Sequence, residues 1–212
     1  MPNQINQKRL LITHSLLNAW NYIYKASDDW RDSAYDSFMQ VLNRLKTEPT
    51  QAMLNGRAFE TLVSDVVAGK SVDCAHKWID GATAIADIIG RTGHWEQGKM
   101  MKEVAVNGVG YLLYGVPDWF GGGFIYDVKF KENIGNYEVG HYFDGTQHRL
   151  YFELIYGADE FMYLVSNGKK VYRETYKRQE CRPISETIIE FENWLKCYDL
   201  WHIYVEKWQT QY

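Results

Sequence analysis

Apolar positions recur at helical spacing through the first third of the chain. Leu16, Leu17, Trp20 and Ile23 or Tyr24 share one side of a segment, predicting a helix capped by Ser15 and running to Lys25. A second helix is predicted from Asp32, with Tyr35, Phe38, Met39, Leu42 and Leu45 as its stripe, before Pro49 breaks it. Thr50 is the predicted cap of a third helix, reaching about Ala68 ahead of Gly69. Its apolar face includes Met53, Leu54, Phe59, Leu62, Val63, Val66 and Val67. A short fourth helix is read over residues 82–89, ending at Gly90.

The period then changes from helix-like to strand-like. Residues 102–106, 111–119 and 124–130 are rich in Val, Tyr, Phe and Ile. Short glycine turns separate them, NGVG at 107–110 and GGG at 121–123, so an antiparallel meander is expected. Residues 147–156 return to helical spacing, with Leu150, Tyr151, Leu154 and Ile155 on one side. A hairpin over 160–166 and 170–176, closed by Asn167-Gly168, follows. Ile188, Ile189, Phe191, Trp194 and Leu195 mark a helix from residue 184, and a second amphipathic segment lies near 201–208. With no internal repeat or low-complexity tract, the expectation is one α/β domain over residues 1–212. Residues 1–90 would be mainly helical, 102–182 a mixed sheet with one helix, and 184–212 helical.

Composition narrows the class. The 212 residues are 46% hydrophobic and 24% charged, which excludes a disordered chain and a coiled-coil rod. No apolar run reaches the roughly 18 residues of a membrane helix. Lys8 and Arg9 precede an apolar stretch at 10–17, but Thr13, His14 and Ser15 interrupt it, so no signal peptide is expected. The 3 cysteines include no CxxC pair, which excludes a zinc ribbon and leaves too few thiolates for a four-cysteine iron–sulfur cluster. Reduced thiols and a cytoplasmic location are the expectation. The net charge of −4 argues against an overall basic coat, though not against a local basic groove.

Candidate chemistry concentrates in YGVPDWFGGGFIYDVKFK, residues 114–131. Asp127 and Lys129 are two apart on a predicted strand and project from one face. If the hairpin centre falls between Gly122 and Gly123, Asp118 lies across from Asp127, close enough to share a cation. Buried charges of this kind need a metal, each other or water. Hydrolysis of a phosphodiester calls for hard oxygen ligands to Mg²⁺ or Mn²⁺ and an ammonium that neutralises transition-state charge. Glu60, at the edge of the third helix's apolar stripe, is a third acid for such a site. Asp65, five residues on, points about 140° away from it.

These residues bring a known family into view. The chain resembles the PD-(D/E)XK nuclease superfamily, in particular its RecB-like, phage-exonuclease branch. SLLNAWNY at 15–22 looks like its opening helix and GRAFE at 56–60 like its helix motif. GVPD at 115–118 with DVK at 127–129 looks like the bipartite core, and QHRLY at 147–151 like the Q-x-x-x-Y signature. The resemblance implies a restriction-endonuclease-like core, a central mixed sheet flanked by helices with helical N- and C-terminal segments. It implies that Glu60, Asp118, Asp127 and the backbone carbonyl of Val128 hold Mg²⁺ or Mn²⁺, with Lys129 positioning the attacking water. Gln147, Tyr151, Lys131 and His148 would contact substrate or orient the site. The chain departs from many relatives in carrying Phe59-Glu60 where they have a histidine, and from others in lacking the iron–sulfur cysteines. The implied activity is a DNA-end exonuclease serving recombination or repair, with DNA as partner, no membrane, and a homo-oligomer or a recombination protein as further partners.

Two other classes fit the same residues. One is a catalytically silent nucleic-acid-binding or structural protein, and the other a restriction-type endonuclease. The histidines 14, 76, 94, 141, 148 and 202 show no HxH or HExxH spacing, so a histidine metal site is a minor reading. Lys169, Lys170, Arg173, Lys177, Arg178 and Arg182 are candidates for backbone phosphates, with a solvated hairpin face as the plain alternative. Trp20, Trp30, Trp78, Trp95 and Trp119 are available to stack on bases, although core packing is the commoner role.

Overall fold

The computed structural model describes residues 8–90, 95–96 and 98–210. The helices form where apolar periodicity and caps predict them. α1 spans His14–Lys25, and its N-terminus is capped by the Thr13 hydroxyl, which accepts the Leu16 N–H at 3.3 Å. The cap is therefore two residues earlier than the predicted Ser15, whose own hydroxyl lies 3.1 Å from that of Thr13. α2, Asp28–Leu42, begins four residues ahead of its predicted start, with Asp28 and Asp29 placed to complement the helix dipole. α3, Gln51–Val67, has the predicted Thr50 cap, accepting the Met53 N–H at 3.3 Å. α4 covers Ile79–Gly90.

The strands form two sheets. In the first, β1 (Leu10–Thr13) runs parallel to β4 (Val109–Gly115), which pairs antiparallel with β3 (Met100–Val106). The second is five-stranded and mixed. Its order is β2 (Trp95–Glu96), β5 (Trp119–Gly121), β6 (Phe124–Phe130), β7 (Glu160–Ser166) and β8 (Val171–Lys177). The expected continuous meander is thus corrected. Residues 111–119 are not one strand, because Pro117 offers no ladder N–H and the chain changes sheets there. α5 (Gln147–Leu154) lies in the crossover between β6 and β7, which pair in parallel. α6 (Ile184–Cys197) and α7 (Trp201–Trp208) close the fold.

Pairing register separates the two faces of the larger sheet. Asp127, Tyr163 and Glu174 are successive neighbours across β6, β7 and β8 and share one face with Lys129. The opposite face carries Tyr126, Val128 and Leu164, which pack with Trp119 against Phe59 and Val63 of α3 and Ala82, Ile85 and Ile89 of α4. A larger core joins α1, α2, α5, α6 and α7 to both sheets. β7 bonds one edge of β6 along its full length, while β5 bonds the other only from Phe124 to Tyr126, so Asp127 and Lys129 lie just past the end of that ladder. No helix among the described residues is long and apolar enough to cross a membrane.

Candidate active site

The acidic site is assembled by one tight turn. Gly122 and Gly123 have φ of +57° and +86°, the left-handed pair that a two-residue hairpin needs. The ladder they set pairs Trp119 with Tyr126, so the next step brings Asp118 opposite Asp127. The Asp118 carboxylate leans back across the pair and accepts the Val128 N–H at 2.8 Å. Asp127 is 4% exposed, and its Oδ2 lies 2.6 Å from the Lys129 ammonium. That contact is one of charge, since Oδ2 has no partner with hydrogen-bond geometry. The Gln147 side-chain amide donates to Asp127 Oδ1.

Burial, then Asp127, then Glu60 push the Asp118 carboxyl well above the usual range, against the pull of Lys129 and the Val128 N–H. Burial acts on Lys129 in the direction of neutrality, but Asp127, Asp118 and Glu60 outweigh it and hold the ammonium charged. Glu60 is half-buried on α3, and its charge acts on both Asp118 and Lys129. Its rival Asp65 is engaged by Lys70 at 2.7 Å. Together these make a compact pair of carboxylates with one cation and a third acid at longer range.

Tyr151 supports the pair from behind. Its hydroxyl donates to the Val116 carbonyl at 3.0 Å and accepts the Val116 N–H at 3.2 Å, fixing the backbone two residues before Asp118. The ring reaches Val116 across Gly115, where an added Cβ would stand 2.4 Å from Tyr151 Cε1. Tyr151 and Gln147, at 5% and 6% exposure, present little surface to a ligand and act on the site's own groups. His148 is 1% exposed, stacks on Tyr176 with ring centroids 4.5 Å apart, and bonds the Tyr163 hydroxyl at 3.2 Å. It belongs to the aromatic packing beneath the face. Lys131 Nζ sits 2.9 Å from His141 Nε2 and over the rings of Tyr137 and Tyr142, at the edge of the same face.

The other candidates separate similarly. Trp20, Trp78 and Trp119 are core, whereas Trp30 is 65% exposed. His94 and the Trp95 side chain lie outside the described residues. Arg178 is spent on the carbonyls of Ala158 and Ile155, and Arg182 on Glu186 and Glu190, which leaves Lys169, Lys170, Arg173 and Lys177 as the exposed part of the basic run. Sequence reasoning missed the neighbours of the acids. Tyr163 stands beside Asp127 in the ladder, and Glu174, next along, accepts from the Tyr137 and Tyr176 hydroxyls and the Tyr142 N–H. Only the parallel β6–β7 register reveals them, and it leaves no local sequence signal.

The donors available to a cation are carboxylate and carbonyl oxygens, the chemistry that suits Mg²⁺ or Mn²⁺. Among the described residues, however, no three His, Cys, Asp or Glu side chains are gathered closely enough to form a finished coordination set. Asp118 and Asp127 are the close pair, and Asp127 Oδ2 has the Lys129 ammonium as its 2.6 Å neighbour.

The sequence matches no protein-family model and no curated protein. Among solved structures, that of SSO0001 superposes with a TM-score of 0.53 at 10% identity, covering 92% of this chain and 79% of that one. The structure of LHK-Exo in complex with dAMP gives a TM-score of 0.48 at 12% identity, covering 89% and 91%. The likeness to SSO0001 is one of fold.

Proposed function

We propose that the protein is a metal-dependent nuclease that hydrolyses DNA phosphodiesters, acting on DNA ends. The observation that carries this reading is the facing pair Asp118 and Asp127 with the Lys129 ammonium 2.6 Å from Asp127, on a strand face that would otherwise favour Val or Ile. Unpaired, two such carboxylates are costly to bury, and the cost is offset where a cation is meant to sit between them. Asp118 and Asp127 would hold Mg²⁺ or Mn²⁺, completed by Glu60 and the Val128 carbonyl. The bound ion would supply a more acidic water and a counter-charge for the phosphate.

The chain's own residues do the rest. Gln147 fixes the rotamer of Asp127 by donating to Oδ1, which turns Oδ2 toward Lys129. Lys129, kept protonated by its acidic neighbours, is placed to bind a non-bridging phosphate oxygen and to stabilise charge that develops there. Tyr151 keeps Val116, and through it Asp118, from drifting away from β6. The sequence resemblance to RecB-like and phage-type exonucleases supports end-directed cleavage over a restriction-type mode.

A catalytically silent site has one observation in its favour, the absence of a finished three-acid set among the described residues. Degradation of linear single- and double-stranded DNA with Mg²⁺ separates the two readings. Wild type should degrade DNA, and Asp127→Ala and Lys129→Ala should each lose about 10²-fold or more in rate. Activity that survives both substitutions overturns the nuclease reading, and rapid cleavage of closed circular DNA overturns the preference for ends.

A further inference from the structure

Between β6 and α5 the chain runs through residues 131–146 without forming a helix or a strand. The Lys131 N–H is tied to the Ser166 carbonyl of β7 at 2.9 Å, and Thr146 leads into α5. Between those ends the Tyr142 ring stacks on Tyr163, the ladder neighbour of Asp127, with 4.2 Å between centroids. A stretch this long without regular pairing takes its position from side chains. One side chain of the sheet gathers it. Glu174 of β8 is 2% exposed, and its carboxylate accepts the Tyr137 hydroxyl at 2.5 Å and the Tyr142 N–H at 2.7 Å. The Gly140 N–H adds to their pull, and the Tyr176 hydroxyl donates from Glu174's own strand. Burial acts to raise the Glu174 carboxyl, but these donors outweigh it and hold the group below its usual range, as an anion. A buried carboxylate is costly unless its lone pairs are met, and here most of the groups that meet them come from one segment.

What the segment arranges is the Lys131 ammonium. Its Nζ lies 2.9 Å from His141 Nε2, which must accept, since an ammonium only donates. It also stands 5.2 Å and 5.5 Å from the ring centroids of Tyr137 and Tyr142. Tyr137 and Tyr142 are themselves partners of Glu174, and His141 adjoins Tyr142 in sequence. With its backbone fixed to β7, Lys131 has the direction of its long side chain set by a cradle that Glu174 fastens. Lys131 continues the alternation of Asp127 and Lys129 one step past β6, so the cradle aims a second cation along the acidic face.

We infer that Glu174 is a positioning residue, which fastens residues 131–146 to the sheet so that Lys131 is held at the rim of the acidic face, against a phosphate flanking the one to be cleaved. Glu174 touches no substrate and acts through Tyr137, Tyr142 and Lys131. The inference rests on the nuclease reading only in taking that phosphate to belong to DNA; the fastening itself does not depend on it.

Anisotropy of a fluorescently labelled thymidine dodecamer in EDTA reads Lys131 without turnover, and hydrogen exchange reads the segment. Lys131→Ala should weaken binding severalfold. Glu174→Ala should weaken it to a similar extent, speeding exchange in residues 131–146 while α6 and α7 stay as protected as in the wild type. Because both act through one contact, the double variant should bind no more weakly than the weaker single variant. With Mg²⁺ present, the Glu174→Ala loss should fall on KM with kcat changed by less than about twofold, whereas general damage to the fold lowers the active fraction and leaves KM alone. Should Glu174→Ala fail to fold, Tyr137→Phe takes its place with smaller effects in the same directions, since it keeps the ring beside Lys131 and removes only the donor to Glu174. The inference is overturned if exchange in the segment is unchanged, if the folded variant binds as the wild type does, if the two losses multiply in the double variant, or if the wild type does not bind the dodecamer. Binding that meets these expectations in a protein that never cleaves DNA overturns the nuclease reading alone.

Discussion

At the scale of single residues, the site is a set of side chains held by neighbours that do not react. Gln147→Ala removes the donor to Asp127 Oδ1 while leaving both acids in place. It should lower the rate about tenfold with little change in melting temperature, measured on linear DNA and by thermal unfolding. His148 makes a different prediction. Burial, then Arg149, lower its pKa to about 3 from 6.5, so the folded protein keeps it neutral where the unfolded chain takes up a proton. Between those values the unfolded state binds more protons, and stability therefore falls as pH drops from 6.5 toward 3. His14, lowered by burial to about 3 as well, adds to the same loss, so urea unfolding across that window should show a fall on the order of a few kcal/mol that His148→Phe reduces and does not abolish. The two positions also show what a sequence can convey. Asp118, Asp127 and Lys129 were legible because turn chemistry and strand alternation fix which face they share. The burial of His148 was not, since the rings of Tyr163 and Tyr176 reach it from strands beyond the crossover.

At the scale of elements, local rules carried most of the fold. Residues 124–130, 160–166 and 201–208 coincide with β6, β7 and α7, each bounded by a turn or a change of period that needs no distant partner. β1 escaped because LLIT is too short to show alternation, and its strand status depends on β4, about a hundred residues on. The parallel β6–β7 pairing and the change of sheet at Pro117 are likewise settled by non-local packing. The join between β4 and α5 tests this packing directly. Gly115→Ala places a methyl group against Tyr151 Cε1 and within 2.9 Å of Leu154 Cδ1. Since Tyr151 is anchored at both ends of the Val116 peptide, the ring has no free path to yield. The substitution should cost about 1–3 kcal/mol in denaturant unfolding. It should also lower activity more than an equally destabilising change in α2, because Asp118 moves with Val116.

At the scale of the whole molecule, the described ends of the chain are tied together. The Thr210 N–H donates to the Arg9 carbonyl at 2.7 Å, Leu10 bridges to Gln209, and the Tyr204 hydroxyl donates to the Leu11 carbonyl at 2.9 Å. Trp208 pins α7 to α2, donating to the Leu42 carbonyl at 2.8 Å beneath the Arg44 guanidinium. Trp208→Ala should cost about 3–5 kcal/mol, read as a lowered urea midpoint. The parallel pairing of β6 with β7 has a consequence for the order in which the chain organises itself. The hairpins β3–β4, β5–β6 and β7–β8 each close over a short turn, on the microsecond scale of local chain motion. Joining β6 to β7 means closing a crossover from Lys131 to Asp159, and that entropy must be met before any contact across it is gained. Asp118 and Asp127 therefore find each other early, within one hairpin, whereas the shelter of Gln147 and Tyr163 arrives only with the crossover. Pulse-labelled hydrogen exchange during refolding should accordingly protect β5–β6 amides before those shared by β6 and β7. A newly made chain spends that interval with its acidic pair open to water and to whatever cations are at hand.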